Sequence, residues 1–218
     1  MISFSLPRAI LFDWDNTLVD NWQVICDSMN DALAAMGHPV WSLADTKARV
    51  RASLRDSFPK MFGDRWSEAR EIYFKSFTSR HLLSLRPMAG AELLLNEMRQ
   101  RDIYLAVVSN KTGRFLRTEA DHLGWSHMFG ALVGAGDCSR DKPARDPVEL
   151  ALAPTGRGPD GSVWFVGDTD IDMECAVASG CLPVLLREDR PMEGEFDEHA
   201  PALYMQNCES LGRYIEKL

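Results

Sequence analysis

The chain has 218 residues, enough for one substantial core with an insert or for two small domains. Its formal net charge of −8 argues against a general binder of nucleic acid or of an anionic membrane, yet a locally basic pocket could still take a small anion. No run approaches the ~18 apolar residues of a membrane span, and Met1–Pro7 is too short and polar for a secretory signal. The cysteines are odd in number and match no zinc spacing, so the expected setting is reducing and cytoplasmic.

Ala9–Phe12 reads as a short buried strand that stops at Asp13-Trp14-Asp15-Asn16-Thr17. Two carboxylates so close at the end of an apolar run repel each other and lose water, and a bound divalent cation is the usual compensation. From Asp20 to Leu85 the pattern is mostly helical, with Trp22, Ile25, Met29, Leu33 and Met36 at helical spacing before Gly37, and a second patterned stretch over Trp66–Leu85. Lys47, Arg49, Arg51 and Arg55 in this block read either as a basic patch that grips a substrate carboxylate or phosphate, with Arg51 and Arg55 the first candidates, or as a solvated helix face with Asp45 and Asp56 nearby.

From Pro87 onward helix and strand alternate. Helices are expected over Ala89–Arg101, Thr112–Leu123, Pro147–Ala153, Ile171–Ser179 and Cys208–Leu218. Strands are expected over Ile103–Val108, Ala131–Val133, Val163–Val166 and Leu182–Leu186. This is the pattern of an α/β fold whose parallel sheet is covered on both faces. The expected organisation is a Rossmann-like α/β core built from residues 1–19 and 86–218, with a helical cap of residues 20–85 inserted after the first strand.

Polar residues sit at the carboxyl ends of these strands, where open α/β sheets bind ligands. They are Asp13 and Asp15, Ser109 with Asn110, Lys142 before Pro143, and Asp168 with Asp172. Carboxylates from two strands suit Mg²⁺, a hard cation that prefers oxygen. A hydroxyl, amides and an ammonium suit the oxygens of a phosphoryl group. One carboxylate can then attack phosphorus while a second handles the proton.

On these four motifs, in this order, the chain resembles the haloacid dehalogenase (HAD) superfamily, in its phosphatase branch with a helical cap, and is similar there to phosphoglycolate phosphatases. The resemblance implies Asp13 as nucleophile and metal ligand, and Asp15 as general acid and base whose backbone carbonyl also meets the metal. It implies Ser109 and Lys142 as phosphoryl-binding catalytic residues, with Asp168 and Asp172 completing a Mg²⁺ site. Thr17, Asn110, Arg51 and Arg55 are substrate-contact candidates. So is Trp14, which is bulky for its place between the two acids and is expected to pack on the cap or narrow the entrance. Asn16 stands where the family usually has Gly; it tolerates the same turn.

The reading is a Mg²⁺-dependent phosphatase acting on a small phosphorylated metabolite through an aspartyl-phosphate, without nucleic acid or membrane, as a monomer or homodimer. A phosphomutase, such as a sugar-phosphate mutase, shares the core and stays open. A non-catalytic phosphate-binding regulatory protein is disfavoured because no motif acid is missing. Dehalogenase and phosphonate hydrolase chemistries need no acid at the position of Asp15.

Overall fold

The computed structural model describes residues 4–218. Six parallel strands form the main sheet: β1 (Ala9–Phe12), β4 (Tyr104–Thr112), β5 (Ala131–Ala135), β6 (Val163–Gly167), β7 (Leu182–Leu186) and β8 (Leu203–Met205), in the order β5-β4-β1-β6-β7-β8. β1 lies between β4 and β6, so the chain builds outward from it in both directions. The carboxyl end of β1 is therefore the topological switch point, where adjacent connections part to opposite faces and leave a crevice.

Side chains alternate across β1 and bury both faces. Ile10 and Phe12 join a core with Leu94, Leu95 and Met98 of α5 (Ala91–Gln100) and Leu211 and Ile215 of α9 (Cys208–Ile215). Ala9 and Leu11 face Val148 and Leu152 of α7 (Asp146–Leu152) and Cys175 and Ala176 of α8 (Asp170–Ser179). The remaining core helix, α6 (Gly113–His122), follows β4 directly.

The chain leaves the sheet region through β2 (Val19–Asp20) and returns through β3 (Arg86–Pro87), which pair antiparallel as Val19 with Pro87 and Asp20 with Arg86. Between them lie α1 (Trp22–Ala35), α2 (Leu43–Arg49), α3 (Leu54–Phe62) and α4 (Trp66–Ser84). These helices have their own core, with Ile25, Met29, Leu33, Phe58, Tyr73 and Phe77, and α6 lends it Phe115. Among the described residues no helix is long and apolar enough to cross a membrane.

The structure corrects the sequence reading at several points. The basic face is not one helix: α2 begins at a reciprocal Ser42–Asp45 capping box and ends at Val50, whose extended backbone starts the link to α3. Arg51 therefore sits on a connection, free to point at the sheet edge. β2, β3 and β8 are two or three residues long, too short for any periodicity to register. β4 runs on past Val108 to Thr112 with a register shift, so Ser109, Asn110 and Lys111 belong to an irregular strand end rather than to a loop.

Candidate functional site

The ends of β1, β4 and β6 converge under the helical block around a cavity of about 110 Å³. Asp13, Asp15, Asn16, Ser109, Asn110, Lys111, Lys142 and Asp172 form its floor. Trp22, Ile25, Leu54, Phe74 and Phe77 wall it from the helical side, with Arg51 among them.

Asp13 is the first residue beyond β1, and its backbone N–H donates to Val166 of β6 at 2.8 Å. Asn16 then turns the chain with φ of 64°, the left-handed region in which Asn is the commonest substitute for Gly. This is the turn that lets Asp13 and Asp15 both face the crevice.

Lys142 Nζ donates to Asp13 Oδ1 at 2.7 Å and to Asp172 Oδ1 at 2.7 Å. All three side chains are buried. Burial alone would strip the proton from Lys142, but Asp13 and Asp172 outweigh it and hold the ammonium charged. The Asp13 carboxyl is pushed up to about 6, chiefly by burial, with Lys142 pulling down and Asp172 and Asp15 pushing further up.

Asp13, Asp168 and Asp172 can each bring one carboxylate oxygen within 4.8 Å of the others. Burial, then Asp172 and Asp13, raise the Asp168 carboxyl well above the ordinary range. Three buried carboxylates share one ammonium here, and an oxygen-rich anionic cluster of this kind fits a hard divalent cation. The acids are not equivalent. Asp172 is engaged at both oxygens, by Lys142 at Oδ1 and by the N–H and hydroxyl of Thr169 at Oδ2, as the capping box of α8. Asp168 Oδ1 takes only a long 3.5 Å contact from the Thr17 hydroxyl, which leaves it more lone-pair capacity. Gly167 makes the packing possible, because a methyl group there would overlap the Asp172 carboxyl.

Ser109 is buried at the floor and accepts the Lys111 N–H through its hydroxyl at 3.2 Å. Asn110 donates to the carbonyls of Lys142 and Arg51 at 3.2 and 3.3 Å, and so spans the core loop and the helical block. Its buried Oδ1 has no partner among the described residues.

Other expected contacts lie elsewhere. Trp14 does not line the cavity. It is fully buried in the sheet core, edge-on to Trp125 and Phe129, because residues alternate and Trp14 faces away from the two acids. Thr17 is buried behind the floor, beside Asp168. Arg55 lies outside the cavity, pairing with Asp141 at 2.9 Å and donating to the Cys138 carbonyl. Arg51 reaches the wall, but its Nε pairs with Asp170 at 2.8 Å and its Nη1 donates to the Lys47 and Val50 carbonyls. Ile171, the first residue of the expected helix, is half-buried and lines the cavity.

A second cluster escaped the sequence reading. Lys111 Nζ contacts Asp15 at 2.9 Å and Glu119 at 3.1 Å. His81 of α4, Trp14 and Asn21 also bond Glu119. The signals existed. Glu119 interrupts the apolar face of α6, three and four residues after Leu116 and Phe115; His81 follows Tyr73 and Phe77 at spacings of four; Lys111 shares a strand face with Ser109.

A family model for haloacid dehalogenase-like hydrolases matches residues 10–185. A phosphoglycolate phosphatase of Xanthomonas campestris pv. campestris is 28% identical over 211 residues, 91% of this chain and 95% of the relative. The crystal structure of a HAD-superfamily hydrolase from Ehrlichia chaffeensis superposes with a TM-score of 0.70 at 29% identity, covering 99% of each chain. A predicted phosphatase from Clostridium acetobutylicum superposes with a TM-score of 0.85 over 98% of this chain and all of its own, and at 21% identity it attests the fold.

Proposed function

The chain belongs to the haloacid dehalogenase-like hydrolases, and within that family we propose that it is a Mg²⁺-dependent phosphatase of small phosphomonoesters that works through an aspartyl-phosphate. That it is a phosphatase follows its relatives. The observation that carries the finer reading is the convergence of Asp13, Asp168 and Asp172 on one another at the sheet's switch point, with the ammonium of Lys142 bound to Asp13 and Asp172.

Asp13 is the nucleophile. One of its oxygens attacks phosphorus as the bond from phosphorus to the leaving-group oxygen breaks. Lys142 neutralises charge on Asp13 and on the transferring group; the Ser109 hydroxyl and the Asn110 amide hold its remaining oxygens. Asp15 protonates the departing oxygen, then takes the proton of the water that attacks the aspartyl-phosphate and releases inorganic phosphate. Burial raises the Asp15 carboxyl above its ordinary range, more than Lys111 lowers it, which favours the protonated form the first step needs.

Asp13 and Asp168, with the Asp15 carbonyl, would hold Mg²⁺, which would supply charge neutralisation and a template for the phosphoryl oxygens. Asp172 serves mainly by fixing Lys142. Residues 20–85 act as the cap that excludes water and selects the leaving group. The apolar walls and small volume of the cavity support a small leaving group.

The test is phosphate release from a panel headed by 2-phosphoglycolate, with Mg²⁺ and with chelator, beside Asp13→Asn. Release that needs Mg²⁺ and vanishes in the variant is expected. Transfer between positions of a sugar phosphate without release would replace the phosphatase reading with a mutase, and silence on every ester would sink both.

A further inference from the structure

Behind Asp15 lies a buried ion cluster to which the reaction above assigns no role. Glu119 is fully buried on α6. Its Oε1 meets His81 Nδ1 at 2.9 Å and Lys111 Nζ at 3.1 Å; its Oε2 accepts from Trp14 Nε1 at 2.7 Å and from Asn21 Nδ2 at 3.2 Å. A carboxylate offers about four acceptor sites, so this one is saturated and its orientation over-determined.

Glu119's partners all lead toward one residue or toward the cap. Lys111 and Asn21 both go on to Asp15 Oδ1, at 2.9 and 2.6 Å. Trp14 is its chain neighbour. His81 comes from α4, stacked on Phe77 and edge-on to Phe115. Lys111 itself lies over the Phe77 ring, 4.4 Å from its centroid. Asp15 is thus held from the side by two donors anchored on the same carboxylate, and both donors take one oxygen, which leaves Oδ2 free of either.

A buried ion pair is weak evidence for a stabilising role, since apolar side chains of like volume often do as well. Its worth here is orientation, because a group that transfers a proton needs tight placement by neighbours that are themselves locked.

We propose that Lys111, fixed by Glu119, is a positioning residue that aims the Asp15 carboxyl at the leaving-group oxygen, and that His81 makes this aim depend on the seating of α4. The inference rests on the reading of Asp15 as general acid. It predicts a split that loss of phosphate binding or of fold cannot mimic. An alkoxide leaves only if it is protonated; a nitrophenolate leaves without help.

The experiment compares the whole chain with Lys111→Met and with the double variant Lys111→Met/Glu119→Gln, which removes the fully buried Glu119 charge together with its lysine and so guards against a simple failure to fold. Release of the leaving group in a single turnover, before the water step that both esters share, is measured with 2-phosphoglycolate or glycerol phosphate and with p-nitrophenyl phosphate, in Mg²⁺. On the alkyl ester this rate is expected to fall by about 10²-fold in both variants while the aryl ester stays within about fivefold and KM barely moves. Lys111→Arg, which keeps the charge, restores part of the loss. Equal falls on both esters, a rise in KM alone, or no fall overturns the proposal. A wild type that releases phosphate from neither ester overturns instead the phosphatase reading on which it stands.

Discussion

Two buried lysines in this molecule each bridge two carboxylates, yet their surroundings differ. Lys142 joins Asp13 and Asp172, and a third acid, Asp168, stands beside them with no ion pair among the described residues. Lys111 joins Asp15 and Glu119, and Trp14, Asn21 and His81 complete the shell of Glu119. The carboxyl groups record the difference. Burial and neighbouring acids drive Asp168 well up, whereas Glu119 ends below its ordinary range because Lys111, His81 and Trp14 together outweigh burial. The first cluster is short of positive charge and calls for a cation from outside; the second is nearly closed within the protein. A shortage of donors, rather than a buried lysine as such, marks the place where a ligand belongs.

Replacing Lys142 breaks the comparison most severely. In Lys142→Met three buried acids would lose their only ammonium, and phosphate release is expected to drop at least about 10³-fold, since a charge aimed at the transferring group is lost. The metal-free variant should also lose about 3–5 kcal/mol in denaturant unfolding, the usual penalty for orphaning a buried charge. Mg²⁺ should raise its melting temperature more than that of the wild type, because the variant has the larger charge to offset. Unchanged stability in chelator would mean that the acids are already neutral, and the contrast with the Lys111 cluster would collapse.

Titration sharpens the comparison further, because Glu119, the anchor of the second cluster, responds to acid with the opposite sign to Asp13 and Asp168. Asp13 is pushed up to about 6 and Asp168 is raised as well, so the folded metal-free protein holds protons that an unfolded carboxyl, near pKa 3.9, has released. Stability from this cluster therefore grows as pH falls from about 6 toward 4 and is lost as pH rises through that window. Glu119 does the reverse: its contribution is complete above the unfolded pKa and is lost as pH falls through its lowered folded value. Protons would compete with the proposed Mg²⁺ for the same oxygens. Below about pH 6 the Mg²⁺ affinity read by calorimetry should thus weaken by about tenfold per unit for each proton displaced. An affinity flat from pH 7 to 5 would show that the metal does not meet Asp13.

The first cluster was legible in the sequence because its members stand at motif positions: Asp13 where an apolar run stops, Lys142 before Pro143, and Asp168 and Asp172 after a glycine that ends a strand. The alternation of helices and strands from Pro87 onward likewise carried the α/β core. The second cluster was not read, although each member breaks a local pattern. Glu119 sits where α6 should be apolar, and His81 extends an aromatic stripe of α4. A single charged residue on an apolar face is ambiguous until its partners are known, and these come from β4, α4 and the turn after β1, far apart in the chain. Arg51 and Arg55 read as neighbours in one basic stretch because the break at Val50 has no Gly or Pro to announce it. That break sends Arg51 to the cavity wall and Arg55 to Asp141, outside it.

Trp14 supplies the smallest expected effect on catalysis and the clearest separation between a substrate contact and a support. Its ring faces Trp125 and Phe129, and its only polar reach is the 2.7 Å bond to Glu119. In Trp14→Phe the ring packing largely survives, but Glu119 loses one of its donors in a place that water does not reach. Unfolding should show a loss of about 1–3 kcal/mol, the penalty of an under-satisfied buried acceptor. KM for the preferred ester should not move, because the side chain never meets the cavity. Lys111 and Asn21 still hold Asp15, so kcat on an alkyl ester should fall by no more than about twofold to threefold, well short of the Lys111→Met loss. A raised KM with unchanged stability would put the indole back in the substrate's path. It would also mean that the turn at Asn16 presents Trp14, and not only its flanking acids, to the crevice.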